Sequence, residues 1–183
     1  MSPRGGADGG LRPPAPAAPA DGRARYLRQV VGQLYPGRDG PSREYLVLPH
    51  PRRPRLLAPA ASRRSVATAV RRYALPRSRS TALLRQLAAT ALLSGGHRLL
   101  PYRLRVRLPG SIEEHLREVL GGPLHVSIYI GPDRANRKPV LHLMHPLGET
   151  AGFAKVGTSA LTRSLVRAEA AALVTLTRAG LRR

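Results

Sequence analysis

Two residues set the chemical question: Lys155 in "FAKVG" and Glu169 in "VRAEAAAL". The chain carries 31 basic residues, yet only Lys138 and Lys155 are lysine. A sequence so rich in Arg, Ala, Gly and Pro has the mark of GC-rich coding, in which arginine codons displace lysine codons. A lysine kept against that drift points to a place that needs a compact, flexible ammonium rather than a planar guanidinium. Glu169 stands out for its setting. Leu165, Ala172, Leu173 and Leu176 fall at i, i+7, i+8 and i+11, an apolar stripe of helical period, and Glu169 at i+4 sits inside it. A carboxylate turned toward an apolar layer is costly unless paired. Two pairings are open: Lys155, in the extended segment leading into this helix, or the local Arg163 and Arg167.

Other chemistry is thinner. His142 and His145 in "HLMH" stand three apart in a strand, so they point to opposite faces and are poorly placed to share a metal. Ser127 has no base at a recognisable spacing. With no cysteine there is no disulfide framework, thiolate metal site or cysteine nucleophile. Phe153, two residues before Lys155, shares its strand face and reads either as an adenine contact or as core. The segment "GPDRANRK" holds Gly131, Arg134, Asn136, Arg137 and Lys138, which approach phosphates in one reading and form a solvated hairpin tip in the other.

The elements that would position these groups are readable in the last third of the chain. Ser111 is placed to cap a helix through Leu120, with Glu113 and Glu114 in its first turn, where the helix dipole favours acids, and Gly121-Gly122 as its stop. Residues 124–130, 139–145 and 151–156 alternate as three strands joined by polar turns. Ser159 then caps a helix to Arg178, with Gly180 beyond it. The expected unit is an antiparallel meander with a helix packed on one face.

The middle of the chain, residues 23–110, carries 19 arginines against only Asp39 and Glu44. Its pattern predicts a helix at 24–34, a hairpin with strands at 45–48 and 56–58, helices at 65–73 and 80–93 (the latter facing its core through Leu83, Leu84, Leu87 and Ala91), and a strand in "YRLRVRLPG" whose outer face is all arginine. Residues 1–22, dense in Pro, Ala and Gly, read as a disordered tail. The formal charge of +21 fits either a solvated basic surface or a grip on nucleic acid. No apolar run is long enough to span a membrane and no secretory leader is evident, so a cytoplasmic protein is expected.

The order of strand, polar turn, strand, lysine-bearing strand and glutamate-bearing helix resembles the N-terminal lobe of the protein-kinase-like fold. The wording "IGPDRANRKPVLHLMHPLGETAGFAKVG" followed by "LTRSLVRAEAAAL" looks most like its aminoglycoside-phosphotransferase branch in high-GC bacteria, over residues 111–183. The resemblance implies an α+β fold in three parts: the tail at 1–22, an Arg-rich hairpin and helical segment at 23–110, and a kinase-like N-lobe at 111–183. It implies that Lys155 holds nucleotide phosphates, that Glu169 positions Lys155, and that Gly131 and Asn136 belong to the nucleotide-covering turn. ATP and Mg²⁺ are the implied cofactors and a small-molecule hydroxyl the implied acceptor. The turn has one glycine where protein kinases use three. The acids that orient the hydroxyl and hold the metal belong, in that family, to a second lobe with no counterpart in these 183 residues. A truncated, catalytically inactive phosphotransferase fragment is therefore expected. Its partners are a nucleotide, a separate C-lobe or other protein, and, through the arginines, nucleic acid. The competing readings are a basic nucleic-acid-binding module and a non-catalytic interaction domain.

Overall fold

Period-two alternation gives each strand segment two different faces, and the folded sheet uses both. The computed structural model describes residues 19–73, 79–131, 134 and 136–180, with backbone alone at 19–21 and 79–85. The described elements are α1 (Pro19–Leu34), β1 (Ser42–Leu48), β2 (Leu56–Pro59), α2 (Arg63–Tyr73), α3 (Arg79–Leu93), a 3-10 turn (Gly96–Leu99), β3 (Arg103–Arg107), α4 (Ile112–Leu120), β4 (His125–Tyr129), β5 (Val140–Met144), β6 (Thr150–Lys155) and α5 (Ala160–Arg178). All six strands form one antiparallel sheet in the order β3-β1-β2-β4-β5-β6. The fold class is α+β.

One face presents Tyr45, Val47, Leu57, Val126, Ile128, Leu141 and Leu143 to the buried side of α1 (Tyr26, Leu27, Val30, Leu34), with Ile112 and Leu116 of α4 closing the layer. The other face presents Leu46, Leu56, Ala58 and Met144 to Val66, Ala67 and Ala69 of α2 and to Ala89 and Leu92 of α3. Each large aliphatic side chain fully withdrawn from water contributes about 1.5–3 kcal/mol. The two layers therefore hold the sheet from both sides, mostly through aliphatic side chains, with Tyr26, Tyr35 and Tyr45 as the aromatic part of the first. Among the described residues no helix is long and apolar enough to cross a membrane.

The last third follows the expected boundaries closely. α4 is capped by Ser111, whose Oγ accepts from the Glu114 N–H, and it ends at Gly121 with φ 71°, a left-handed cap that glycine adopts without strain. α5 opens on a reciprocal capping box between Ser159 and Thr162.

Four expectations change. The meander is half of a larger sheet, because β2 pairs with β4 through Leu56↔Tyr129 and Leu57↔Ile128, so segments 23–110 and 111–183 build one sheet. The disordered-tail reading falls outside the described residues at 1–18, but its last part is helical. Proline's fixed φ suits a first helical turn, and α1 begins at Pro19 rather than Ala24. α3 turns Ala89 and Leu92 inward and leaves Leu87 58% exposed, because the α2 surface lies on that side. Finally, α5 is not packed along the sheet as expected: it contributes no residue to either core layer and is covered only in its first half. Thr162 is buried and Leu165 and Val166 are half-buried, while every residue from Ala170 to Gly180 is exposed. β6 is the last strand, and a 19-residue helix of about 28 Å runs past the surface the sheet offers.

Candidate functional site

Lys155 is placed by the pleat. Directly opposed residues on antiparallel strands share a face, and Lys155 opposes Val140 while Phe153 opposes His142. The ladder continues beyond β6, where the Val156 N–H donates to the Pro139 carbonyl at 3.0 Å. Lys138, two residues before Val140, therefore lies on the same face as Lys155. Glu169 comes from α5, reached through a tight corner at Gly157. A Cβ added there would lie 2.5 Å from the Arg163 Cα and 2.6 Å from its N, so the corner closes only on glycine.

These placements converge. The Lys155 Nζ donates to Glu169 Oε2 at 2.7 Å, and the Lys138 Nζ donates to Glu169 Oε1. Both lysines of the chain thus meet on one carboxylate. Hydrogen bonds from Lys138 and then Lys155 pull the Glu169 carboxyl down to about 2. Lys138 is mostly covered, at 15% side-chain exposure, whereas Lys155 stays 55% open. Of the two pairings open from the sequence, the glutamate takes the strand lysine. The second lysine, read from the sequence only as a turn residue, is the addition. Its rarity was the signal that could have found it.

A row of flat rings lies on the same sheet face. His142 stacks on Phe153 at 4.6 Å and 12°, Tyr129 lies 6.1 Å from His142, Tyr73 of α2 stacks on Tyr129 at 5.9 Å, and Arg72 sits 5.9 Å over the Phe153 ring. Phe153 remains 52% exposed and is not core. His142 is fully buried, with Nδ1 bonded to the Tyr129 hydroxyl and Nε2 to Thr150 Oγ1. Burial first, and Arg72 second, lower it to about 4. His145 is exposed and lies just beyond the end of β5 at Met144. No group of three His, Asp or Glu side chains converges among the described residues.

The turn behaves differently from its end. Asn136 is exposed and Gly131 half-buried, with open space where a Cβ would stand. Among the described residues neither bonds to Lys155 or Glu169. Arg137 instead lies 3.6 Å over the Tyr26 ring, and the Tyr26 hydroxyl donates to the Arg137 carbonyl. The turn is thereby tied to α1, beside an open cleft of about 320 Å³ lined by Tyr26, Arg134, Arg137, Thr158 and Thr162 among others.

A second carboxylate site was missed. Glu113, read as an acid favoured by the helix dipole, is fully buried. Its Oε2 meets Arg43 Nε at 3.2 Å and Arg117 Nη2 at 2.9 Å, and the Tyr45 hydroxyl donates to Oε1 at 2.5 Å while bonded to Tyr35 at 2.7 Å. Burial pushes the Glu113 carboxyl up against the opposing pull of Arg43, Tyr45 and Arg117. Arg43 stands 70 positions before Glu113, a pairing no local pattern encodes. Ser65 lies 2.8 Å from His125 Nδ1, but this serine is fully buried and no substrate reaches it. Ser127 is likewise buried, its Oγ without a hydrogen-bond partner among the described residues. No protein-family model, curated protein or solved structure matches this chain.

Proposed function

We propose that residues 111–183 act as a nucleotide-binding lobe similar to the N-terminal lobe of aminoglycoside-phosphotransferase-type kinases, with Lys155 meeting the phosphates of ATP and Glu169 holding Lys155 in place. The observation that carries this reading is the two-lysine carboxylate. One carboxylate neutralises only one of two ammoniums, so the site keeps a net positive charge, and that charge faces solvent at the more open Lys155. A polyphosphate suits such a site. Phe153, exposed on the same face two residues away, offers a flat surface to a base. Triphosphate donors fit these ammoniums, whereas Mg²⁺ finds no converging acids of its own among the described residues. A bound nucleotide would supply the transferable phosphoryl group. The chain's own residues would bind and orient it: Lys155 and Lys138 offset phosphate charge, and Glu169 fixes the angle of both.

Neither carboxylate cluster is free to orient an acceptor, since Glu169 is held by two lysines and Glu113 is buried against Arg43, Arg117 and Tyr45. Weak nucleotide binding without phosphoryl transfer is the expected behaviour of the 183-residue chain. Titration calorimetry with ATP tests it. Binding that disappears in Lys155→Ala and weakens in Lys138→Ala supports the reading. Binding indifferent to both, or ATP-dependent phosphorylation of aminoglycosides lost in Lys155→Ala, overturns it.

A further inference from the structure

The nucleotide reading leaves the arginines of the middle segment unused, and the fold gathers several of them along one free edge. β3 is the terminal strand of the sheet, and Arg103, Arg105 and Arg107 are all exposed on it, while Leu104 and Val106 turn to the core. Alternate strand residues stand roughly 6.6 Å apart, so the three arginines leave the strand at even intervals on one face. Beyond Arg103 the edge carries a ring on its other face, since Tyr102 continues the β1–β3 ladder opposite Val47 and so shares the side of Leu104. The Val47 N–H donates to the Tyr102 carbonyl at 2.9 Å, which holds Tyr102 against the tip of the β1–β2 hairpin. There its ring meets His50 edge-on at 4.6 Å and 68° while keeping 37% of its surface open. The Arg52 N–H donates to His50 Nδ1 at 3.1 Å, so exposed Arg52 and Arg53 stand at the same end.

Acidic residues offset only part of this row. Asp39 and Glu44 are the only acids between 23 and 110, and Glu44 is held by Arg103 at 2.5 Å. Arg103 also donates to the His97 and Arg98 carbonyls, and Arg107 to the Gly40 carbonyl. The bonds to neutral carbonyls fix the forks without offsetting charge, so the offset comes from Glu44, which pairs with Arg103 and stands opposite Arg105 across the strands. Charge on an edge strand also deters pairing with other chains. That role accounts for the arginines but requires neither an exposed ring at the end of the strand nor an arginine pair beside it.

We propose that this edge binds single-stranded nucleic acid, the arginines gripping successive phosphates on one side of β3 and Tyr102 stacking on a base turned over the edge to the other. A single strand can turn a base onto an exposed ring, whereas a duplex keeps its bases stacked inside. The site shares no residue with the Lys155–Glu169 pair and stands or falls apart from it.

The test is fluorescence anisotropy of the full chain with a labelled 20-nucleotide polyuridylate between 50 and 200 mM salt. Arg105→Gln, which removes no described bond, should lower the slope of log affinity against log salt by about 0.7. Arg105→Lys should preserve that slope. The double variant Arg52→Gln/Arg53→Gln should lower it further, and Tyr102→Leu should weaken binding at least about fivefold with an unchanged salt slope. Arg28→Gln and Arg178→Gln, remote and exposed, should leave affinity unchanged; equal losses there would mean diffuse charge and overturn the site. No binding at 50 mM salt overturns it in favour of edge protection. Preferential binding to phosphatidylserine vesicles through the same arginines overturns it in favour of a membrane surface. Melting curves identify any variant that fails to fold, and the hairpin-tip double variant and Arg105→Lys then decide the matter, since neither alters a described side-chain bond.

Discussion

Glu113 and Glu169 are the same side chain in the same company, each meeting two cations, and they differ in nearly everything else. Glu113 is fully buried, its cations are arginines, and it also accepts a tyrosine hydroxyl. Glu169 is 41% exposed, and its cations are the two lysines. The comparison shows that burial, more than the number of partners, decides what a charge cluster is for. The buried cluster fastens α4 to β1, since planar guanidiniums satisfy a dry carboxylate from fixed directions. The open cluster stabilises little, because water competes for every contact. It can be entered by a ligand, and flexible ammoniums can follow one.

The largest expected effect breaks the buried member. Glu113→Ala should cost about 3–5 kcal/mol in urea unfolding, because Arg43, Arg117 and the Tyr35–Tyr45 hydroxyl pair lose their acceptor together. Glu113→Gln, which keeps an oxygen for Tyr45, should cost clearly less. Equal losses from the two would show that charge rather than hydrogen bonding dominates there.

His142 supplies an intermediate case, buried and neutral. Its drop from 6.5 to about 4 means that the unfolded chain takes up the proton first as pH falls. Stability should therefore decline from pH 6.5 down to about 4, by on the order of 3 kcal/mol in all. Thermal melting across that window should show the decline, and His142→Gln should flatten it.

The two carboxylates should also titrate in opposite senses. Glu113 is raised by burial, so its contribution is fullest below the ordinary glutamate value and shrinks as pH rises through its folded value. Glu169 is lowered by its lysines, so its contribution is present above about 4.5 and is lost as pH falls toward 2. Carboxyl carbon NMR should place Glu169 near 2 in the wild type, and higher in both Lys138→Ala and Lys155→Ala. A Glu169 shift unchanged by Lys138→Ala would remove the second lysine from the site.

The smallest effect belongs to the open cluster. Lys155→Ala should leave the melting temperature nearly unchanged while changing anion binding. A large loss of stability would make Lys155 a structural residue and erase the contrast with Glu113.

Much of this was legible in the residues, and the division follows the range of the interaction. Cap and stop signals are local, so α4 and α5 were bounded by Ser111, Gly121 and Ser159, and alternation marked β4, β5 and β6. The Lys155–Glu169 pairing was one of two open readings because strand and helix are consecutive. What stayed hidden is nonlocal. Nothing near Glu113 announces Arg43, nothing in "LLAP" announces pairing with "HVSIY", and the outer half of α5 kept an apolar period with no surface beneath it. Lys138 was missed for a different reason. A turn residue was judged by the turn, although the ladder beyond it sets where its side chain goes.

The glycine corner before α5 makes that helix a lever with its fulcrum beside the site. Gly157 admits no side chain because Arg163 stands against it, so the angle at which the helix leaves β6 is set within a few residues. Glu169 lies ten residues along from Ser159, about 15 Å out, and a tilt of roughly 10° at the corner would carry its carboxylate about 2–3 Å. That is enough to release one ammonium while still touching the other. The free outer half of α5 extends the arm beyond Glu169, so a modest push at the helix tip is geared down to a small, well-defined stroke where the two lysines meet.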